Sequence, residues 1–564
     1  MNQIDSGNTT WILISTALVM LMTPGVGFFY GGMVRQKNVL AMMGQSVVIL
    51  ALISLQWALI GYSLSFSHGQ SGFIGSLDWI GLKGVALLPN SDYAPTIPHL
   101  AFMLFQCMFA VITPAIIIGA FADRMKFVTF LLFTLLWTTL IYDPVAHWVW
   151  STDGWLRKIG SLDFAGGTVV HITAGASALI AALIIGKRLG FGEEKMPAHN
   201  IPFTVLGGAL LWFGWFGFNA GSALGDSALA VQAAVTTNLA GAASALIWIL
   251  MCSLTKSKAS VSGIIIGSVA GLVAITPASG FVSPMSAIVI GAVSGILCHF
   301  AMSLRGKVDI DDSLDVLACH GIGGIWGALA TGLFAEKSIN PTGANGLFFG
   351  HAQLIGVQVI AVLATIVYSV IGTAIILYVL KFTVGLRVPA DEEKRGLDIS
   401  VHGEEAYVML PVGDDAGALH VLEGVNVEQV MNHKVRTVTL EDDLEYVQDL
   451  MLEKQHFALP ILDESRKLLG IISIQDLRKI DKKERKSLTV KDLYSNDKQI
   501  RNVEVAYPEE TVHQLIQRMQ EKHISNLPVI KSDGGRELVG IISKSDLIKA
   551  YKQIVSEELR RREN

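Results

Sequence analysis

From Trp11 to Thr383 the chain is a succession of long apolar stretches separated by short polar or basic segments, and beyond Val388 the pattern changes to brief alternations of apolar and charged positions. A helix needs about 20 predominantly apolar residues to cross the hydrocarbon core of a bilayer. Eleven stretches meet that length, at 9–34, 39–66, 98–122, 127–150, 164–187, 201–220, 228–254, 262–280, 284–304, 315–335 and 350–383. An odd number of crossings puts the two ends on opposite sides. Arg35, Lys37, Arg124, Lys126, Lys187, Arg188, Lys195, Lys256, Lys258, Arg305, Lys307, Lys381 and Arg387 fall in one alternating set of connections, and only Lys83, Arg157, Lys158 and Lys337 in the other. Lysine and arginine are enriched on the cytoplasmic side, so the N-terminus is expected outside and the C-terminal part inside. No basic residue precedes Trp11, so the start lacks a signal peptide's positive region and is read as part of the first span.

Composition adds little to this division. Of 564 residues, 51% are hydrophobic and 16% charged, the charged ones crowding into the last third; the net charge of -5 averages two unlike halves and carries no nucleic-acid signal. Cys107, Cys252, Cys298 and Cys319 lie in apolar runs without paired spacing and read as small hydrophobes. Glycines such as Gly207, Gly208, Gly214 and Gly217 read as close-packing positions between helices. Trp79, Trp148 and Trp155 are expected in the interfacial belt, and His147 and His299 as structural. No nucleophile–base constellation or metal-ligand spacing points to an enzyme.

The informative residues are ionisable groups at membrane depth, which are costly and face a bundle interior, a cavity or a transport path. Asp163 precedes His171 in a Gly-rich apolar run, and Asp315 precedes His320 in a second one. Two such helices in corresponding halves of a chain are what an internally repeated transporter shows, with its site where the halves meet. Asp163 retains a plainer reading, as an acceptor for backbone amides near a helix start.

Four further pieces complete a pattern: Phe105 to Pro114, Ala146 to Trp150, Asp163 to Gly175, and Trp212 to Ser222. With Asp315 to His320 they resemble the ammonium transporter family, relatives of the Rhesus proteins, across the whole membrane half and with no motif residue missing. The resemblance implies a polytopic α-helical membrane protein of eleven transmembrane helices with an inverted five-helix repeat, assembled as a homotrimer with one pore per subunit. It makes Trp150, Phe109 and Ser222 the ammonium recruitment site with Phe105 close by, Phe109 and Phe218 the gate, His171 and His320 the pore histidines, and Asp163 the acid at the entrance. The chemistry agrees: aromatic faces attract a cation by about 0.5–2 kcal/mol per contact, and ammonium, unlike potassium, donates a hydrogen bond to a hydroxyl. A bare cation in an apolar pore costs on the order of tens of kcal/mol, a cost that ammonium avoids by leaving its proton to a relay.

After Arg387, the segment Asp391 to Tyr407 resembles the family's cytoplasmic tail, near which a PII-type regulator acts in many relatives. Residues 410–424 read as a linker. Then Leu459-Pro460 with Gly470 to Leu477, and Leu527-Pro528 with Gly540 to Leu547, repeat each other with the second Gly-Ile-Ile-Ser 70 residues after the first. Amphipathic helices are expected at Leu444–Lys454 and Val512–Lys522. These repeats resemble a pair of CBS domains, an α/β cytosolic Bateman module, which implies an adenine nucleotide (AMP, ADP or ATP) as regulatory ligand. Asp476 and Asp546 would then hold ribose hydroxyls, with Ser473 and Ser543 at helix starts that favour phosphate; as simple helix caps they would leave a cleft empty. The division expected is 1–388 membrane domain, 389–424 tail and linker, and 425–555 tandem CBS domains, about 425–485 and 490–553.

These features together describe a multi-pass transporter of the cell membrane, with ammonium as substrate, the bilayer as its surroundings and no cofactor for transport. An ammonium sensor that scarcely conducts is the rival. A chloride or magnesium channel with a CBS pair fits less well, because the paired histidines have no place in it and a carboxylate-rich path is missing.

Overall fold

The computed structural model describes residues 4–69, 71–194, 196–305, 310–407, 424–453, 458–477, 480–481, 484–493, 503–522, 524–547 and 549–550. Of the expected linker only Gly424 is among them, and Lys195, Lys307 and Lys454 lie outside. The chain divides into two compact units, Met1–Ala406 and Tyr407–Asn564.

The first unit is mainly helical. Among the described residues ten helices are long and apolar enough to cross a membrane: Ser6–Met33, Gln36–Phe66, His99–Ala120, Phe127–Lys158, Gly167–Ile185, Ile201–Ala220, Ala228–Leu254, Pro284–Leu304, Leu317–Phe334 and Gln353–Thr383. An eleventh apolar helix, Val261–Ile275, stands where the sequence places the span 262–280. At 1.5 Å per residue it is only about 22 Å long. It ends because Thr276-Pro277 turns the chain, and the freed Pro277 carbonyl accepts from Phe164 N at 3.1 Å, anchoring the approach to the helix of His171. Five of the spans contain a π-helical segment: Trp57–Gly61, Thr138–Tyr142, Gly167–Ile172, Phe216–Ala220 and Leu317–Ile322. Such local over-widening of an α-helix concentrates at functional positions.

Three of the arginines in the basic set of connections have buried partners as well. Arg124 is wholly buried, and all five of its donors are used, on Gly186, Ala122, Ala120 and Asp311 carbonyls and on Ser313 Oγ, at 2.7 to 3.1 Å. Arg188 forks onto Asp311 at 2.9 and 2.8 Å, and Arg35 reaches Asp123 at 3.0 Å. Burial opposes ionisation of Asp311, but the Arg188 hydrogen bonds and the Arg124 charge outweigh it and hold the carboxyl below the usual range.

The tail joins the same network. Glu393, on the short helix Ala390–Arg395, accepts from Leu189 N at 2.7 Å and from Arg387 at 2.9 and 2.7 Å. The next helix, Leu397–His402, exchanges caps with the second span: Asp398 accepts from Leu40 N at 3.1 Å and Ala41 N at 2.8 Å, while Asn38 accepts from Leu397 N at 2.8 Å. Each helix start thus has its free amides satisfied by the other segment.

The second unit holds the two repeats. Strands β4 (Ala458–Leu462) and β5 (Leu468–Ser473) pair antiparallel, with β3 (Val438–Thr439) parallel to β4. Strands β6 (Asn526–Ile530) and β7 (Leu538–Ser543) pair in the same register, Leu527 opposite Ile542 as Leu459 is opposite Ile472. The helices Leu444–Glu453 and Val512–Glu521 present Leu444, Val447 and Met451, and Val512, Leu515, Ile516 and Met519, to separate small cores. The i, i+3, i+4 and i+7 spacing puts each set on one helix face.

Candidate functional site

The mouth is built from aromatic residues on different helices. A cavity of about 150 Å³ is lined by Phe109, Trp150, Ser222, Gln106, Asp92 and Arg157 among others. Trp150 stands edge-on to Phe109, with ring centres 5.7 Å apart. Its indole N–H donates to the Asp163 carbonyl at 3.1 Å, and Arg157 Nη1 donates to the Trp150 carbonyl at 2.6 Å. The Ser222 hydroxyl donates to the Phe218 carbonyl at 2.9 Å, so its proton is committed and its oxygen remains an acceptor. Phe105 is wholly buried and packs edge-on behind Phe109 at 5.0 Å.

Below the mouth, Phe109 and Phe218 lie ring against ring at 4.4 Å and close the way down. His171 follows, stacked at 6.1 Å on Phe218 and at 5.7 Å on Trp215. His171 Nδ1 and His320 Nδ1 are 3.2 Å apart. One Nδ1 must carry the hydrogen and the other must be bare, so the two rings hold opposite tautomers. Both rings border a cavity of about 20 Å³ whose other walls include Met22, Val26, Ile112 and Val269. That volume admits about one water-sized molecule. The arrangement is therefore a polar pair in an apolar space too small for a hydrated ion.

Two acids set the histidine helices. Asp163 Oδ1 accepts from Gly166 N and Gly167 N at 2.7 and 2.8 Å, and Oδ2 from Thr168 N and Val169 N at 2.7 and 3.2 Å. These are the orphan amides of a helix start, and through its own carbonyl Asp163 also anchors Trp150. The counterpart on the other histidine helix is Asp312, whose Oδ2 accepts from Leu317 N at 2.8 Å. It stands as far before His320 as Asp163 does before His171, a spacing present in the sequence and overlooked in favour of the nearer Asp315. Asp315 occupies a left-handed turn at φ +60°. Both histidines lie within π-helical segments, which shift each ring around its helix relative to a regular turn.

The close approach of the two helices depends on Gly175. A Cβ built there meets the Gly321 backbone at 2.3 Å. Gly175→Ala is therefore expected to drive the histidine helices apart and lengthen the Nδ1 to Nδ1 contact. A lower melting temperature checks this, and an unchanged one would refute it.

Elsewhere, Trp148, expected in the interfacial belt, is buried, with its indole N–H on the Phe73 carbonyl at 2.7 Å. His147 accepts the structural role through a 3.1 Å contact with the Ser65 carbonyl. In the second unit, Ser473 N and Oγ donate to Asp476 Oδ2 at 3.0 and 2.6 Å, and Ser543 N and Oγ donate likewise to Asp546. Both serines border one cleft of about 530 Å³, together with Ala458, Asn526 and Lys544. A cleft of that size and polarity suits a small organic ligand.

Fold and site define a polytopic helical membrane protein with a narrow interior cavity bordered by aromatic rings and a buried imidazole pair. The chain matches the Ammonium Transporter Family over residues 10–407 and the CBS domain over 427–483 and 490–553. An ammonium transporter of Bacillus subtilis (strain 168) is 50% identical over 402 residues, covering 71% of this chain and 98% of that protein. Ammonium transporter Amt1 of Archaeoglobus fulgidus is 49% identical over 403 residues, covering 72% of this chain and all of that one. Among solved structures, Saccharomyces cerevisiae Mep2 superposes with a TM-score of 0.65 at 38% identity, covering 69% of this chain and 89% of that one. A structure described as a sensor Amt protein superposes with a TM-score of 0.65 at 32% identity, covering 70% of this chain and 98% of that one. The chain belongs to the ammonium transporter family and carries a C-terminal CBS pair.

Proposed function

We propose that this protein conducts ammonium across the cell membrane, recruiting the ion at Trp150, Phe109 and Ser222 and passing ammonia and a proton separately below the Phe109–Phe218 gate. The 3.2 Å contact between the two imidazoles in a one-molecule cavity is the observation that carries this reading. With His171 as the Nδ1–H donor, its Nε2 is bare and able to take the proton from ammonium. The imidazolium then passes its Nδ1 proton to His320 Nδ1, and His320 releases its Nε2 proton below. The pair returns to its first tautomer before the next proton follows. Ammonia, being neutral, crosses the apolar cavity without the cost of a bare charge.

The protein is a homotrimer in this reading, with its N-terminus outside and the CBS pair in the cytoplasm. Asp476 and Asp546 exchange the serine donors for ribose hydroxyls when an adenine nucleotide fills the cleft. The signal travels through the tail, whose Glu393 and Leu189 link leads by Arg188 and Asp311 to Asp312 and the His320 helix. A ligand moves a pore only by its differential affinity for two arrangements, typically about 1–3 kcal/mol, so nucleotide modulates the current by roughly 5- to 150-fold and does not switch it absolutely. A PII-type regulator is a further candidate at the tail.

Ammonium-driven currents in proteoliposomes test the transport reading, and a protein that binds ammonium without conducting would instead be a sensor. Calorimetry on the full-length chain with AMP, ADP and ATP tests the regulatory one. Asp476→Ala and Asp546→Ala are each expected to weaken binding about tenfold or more at one cleft, the scale of losing charge-assisted hydrogen bonds, while basal current persists. If none of the three nucleotides binds at millimolar concentration, the CBS pair is an assembly or docking module. If both variants only lower the melting temperature and bind normally, the two acids are caps.

A further inference from the structure

The outer mouth holds one ionisable arrangement that the conduction path does not use. His68 follows the second span and lies outside it. Its Nδ1 is 2.7 Å from Asp153 Oδ2 and its Nε2 is 3.1 Å from Asp92 Oδ2. Asp153 closes the turn three residues after Trp150, and Asp92 sits between β1 (Pro89–Asn90) and β2 (Ala94–Pro98) on the wall of the recruitment cavity. The imidazole therefore ties the Trp150 turn to the vestibule wall.

An ionised carboxylate accepts hydrogen bonds and donates none. A ring with both nitrogens on carboxylates satisfies both contacts only as imidazolium, and neutral imidazole turns one lone pair against an acid. The Asp153 hydrogen bond, with Asp92 adding, raises the His68 pKa above its ordinary value although burial opposes it. On deprotonation the Asp92 contact is the one to open. It is the longer of the two; both acids have their amides on a neighbouring side chain, but only the Asp153 carboxylate has a second cation beside it, Lys158 at 4.0 Å, where Asp92 has the Ser91 hydroxyl at 3.5 Å. The other charged or titratable groups facing this cluster are Arg157 on the vestibule wall, His147 on the Trp150 helix and His99 near Asp92.

We propose that His68 is a pH-responsive latch on the mouth: protonated, it masks Asp92, and on losing its proton it releases that carboxylate to recruit the cation. Asp92 is thus a positioning residue for ammonium loading that acts ahead of the aromatic site. This inference rests on reading the Trp150–Ser222 cavity as the recruitment site.

The test is the apparent KM for ammonium in proteoliposomes of uniform orientation, with external pH varied between ~5 and ~8, where histidine titrates, and internal pH and voltage fixed. In the unaltered chain KM falls about two- to threefold as pH rises, the size expected of one water-screened charge at the mouth. His68→Gln, which cannot carry the charge, gives a KM that stays at the low value at every pH. Asp92→Asn gives a KM that stays at the high value, and Asp92→Glu restores the pH dependence. Maximal current moves little in either series, whereas a purely structural clasp would change it. A pH slope retained in His68→Gln, or an unaltered KM in Asp92→Asn, overturns the proposal. If the unaltered chain carries no ammonium current, the transport reading fails on its own. The latch is then read from thermal shifts of the full chain titrated with ammonium chloride against potassium chloride over the same pH range, and a response that is equal in His68→Gln and the unaltered protein overturns it.

Discussion

Alanine at His171 or at His320 is expected to lower the ammonium-driven current by about tenfold or more, equivalent to ~1.4 kcal/mol or more on the barrier, and to erode selection against potassium. Two effects combine. The proposed proton relay loses one of its two rings, and the void left by an imidazole enlarges a cavity of about 20 Å³ until it takes several waters, which a hydrated cation tolerates far better than an apolar wall. Either variant leaves the remaining Nδ1 without its partner, at about 1–3 kcal/mol, a loss the large helical core absorbs, so the protein still folds. Parallel currents with ammonium and with potassium in the same vesicles decide it. Unchanged current and unchanged selectivity in both variants would remove the histidine pair from the mechanism.

Asp163→Ala is expected to have the largest effect on stability. Four buried amides, of Gly166, Gly167, Thr168 and Val169, lose their acceptor together, each at about 1–3 kcal/mol. The start of the His171 helix then loosens, and with it the carbonyl that holds the Trp150 indole. A large fall in melting temperature and near-complete loss of current follow. Asp163→Asn should fall between, because one amide oxygen still accepts from two of the four donors while the NH2 group faces the other two. Melting curves followed by size exclusion rank the three proteins, and an Asp163→Ala chain that melts with the unaltered protein contradicts the capping account.

The parts of this molecule that were legible in the sequence are those set by local pattern. Long apolar runs gave the spans, the aromatic and histidine motifs gave the family, and the offset repeats gave the CBS pair. Val261–Ile275 is shorter than its apolar stretch, since apolarity continues past Thr276-Pro277 while the helix does not. Asp163 was legible with two readings open, and its four amide contacts favour capping. Asp312 was visible through its spacing but hidden by a second acid nearer the histidine. What no single stretch reveals is tertiary: the partners of Arg124 and Arg188, the passage of Gly175 over Gly321, the imidazole of His68 between two distant turns, and the π-helical segments. An extra residue in a helical turn is decided by what packs on either side, and propensity carries no record of it.

The exchange of caps between the second span and the tail also constrains biosynthesis. Leu40 and Asp398 are 358 residues apart in the chain, which at about 5–20 residues/s of synthesis is roughly 18–72 s. Throughout that interval the Leu40 and Ala41 amides lack the Asp398 acceptor, and Leu189 N waits for Glu393. The membrane bundle is therefore assembled first and fastened last, by the segment that leaves the ribosome just before the CBS pair. A chain arrested before residue 398 would contain every span and still lack its clasp, so an unfinished membrane unit differs from a finished one at the start of the second span.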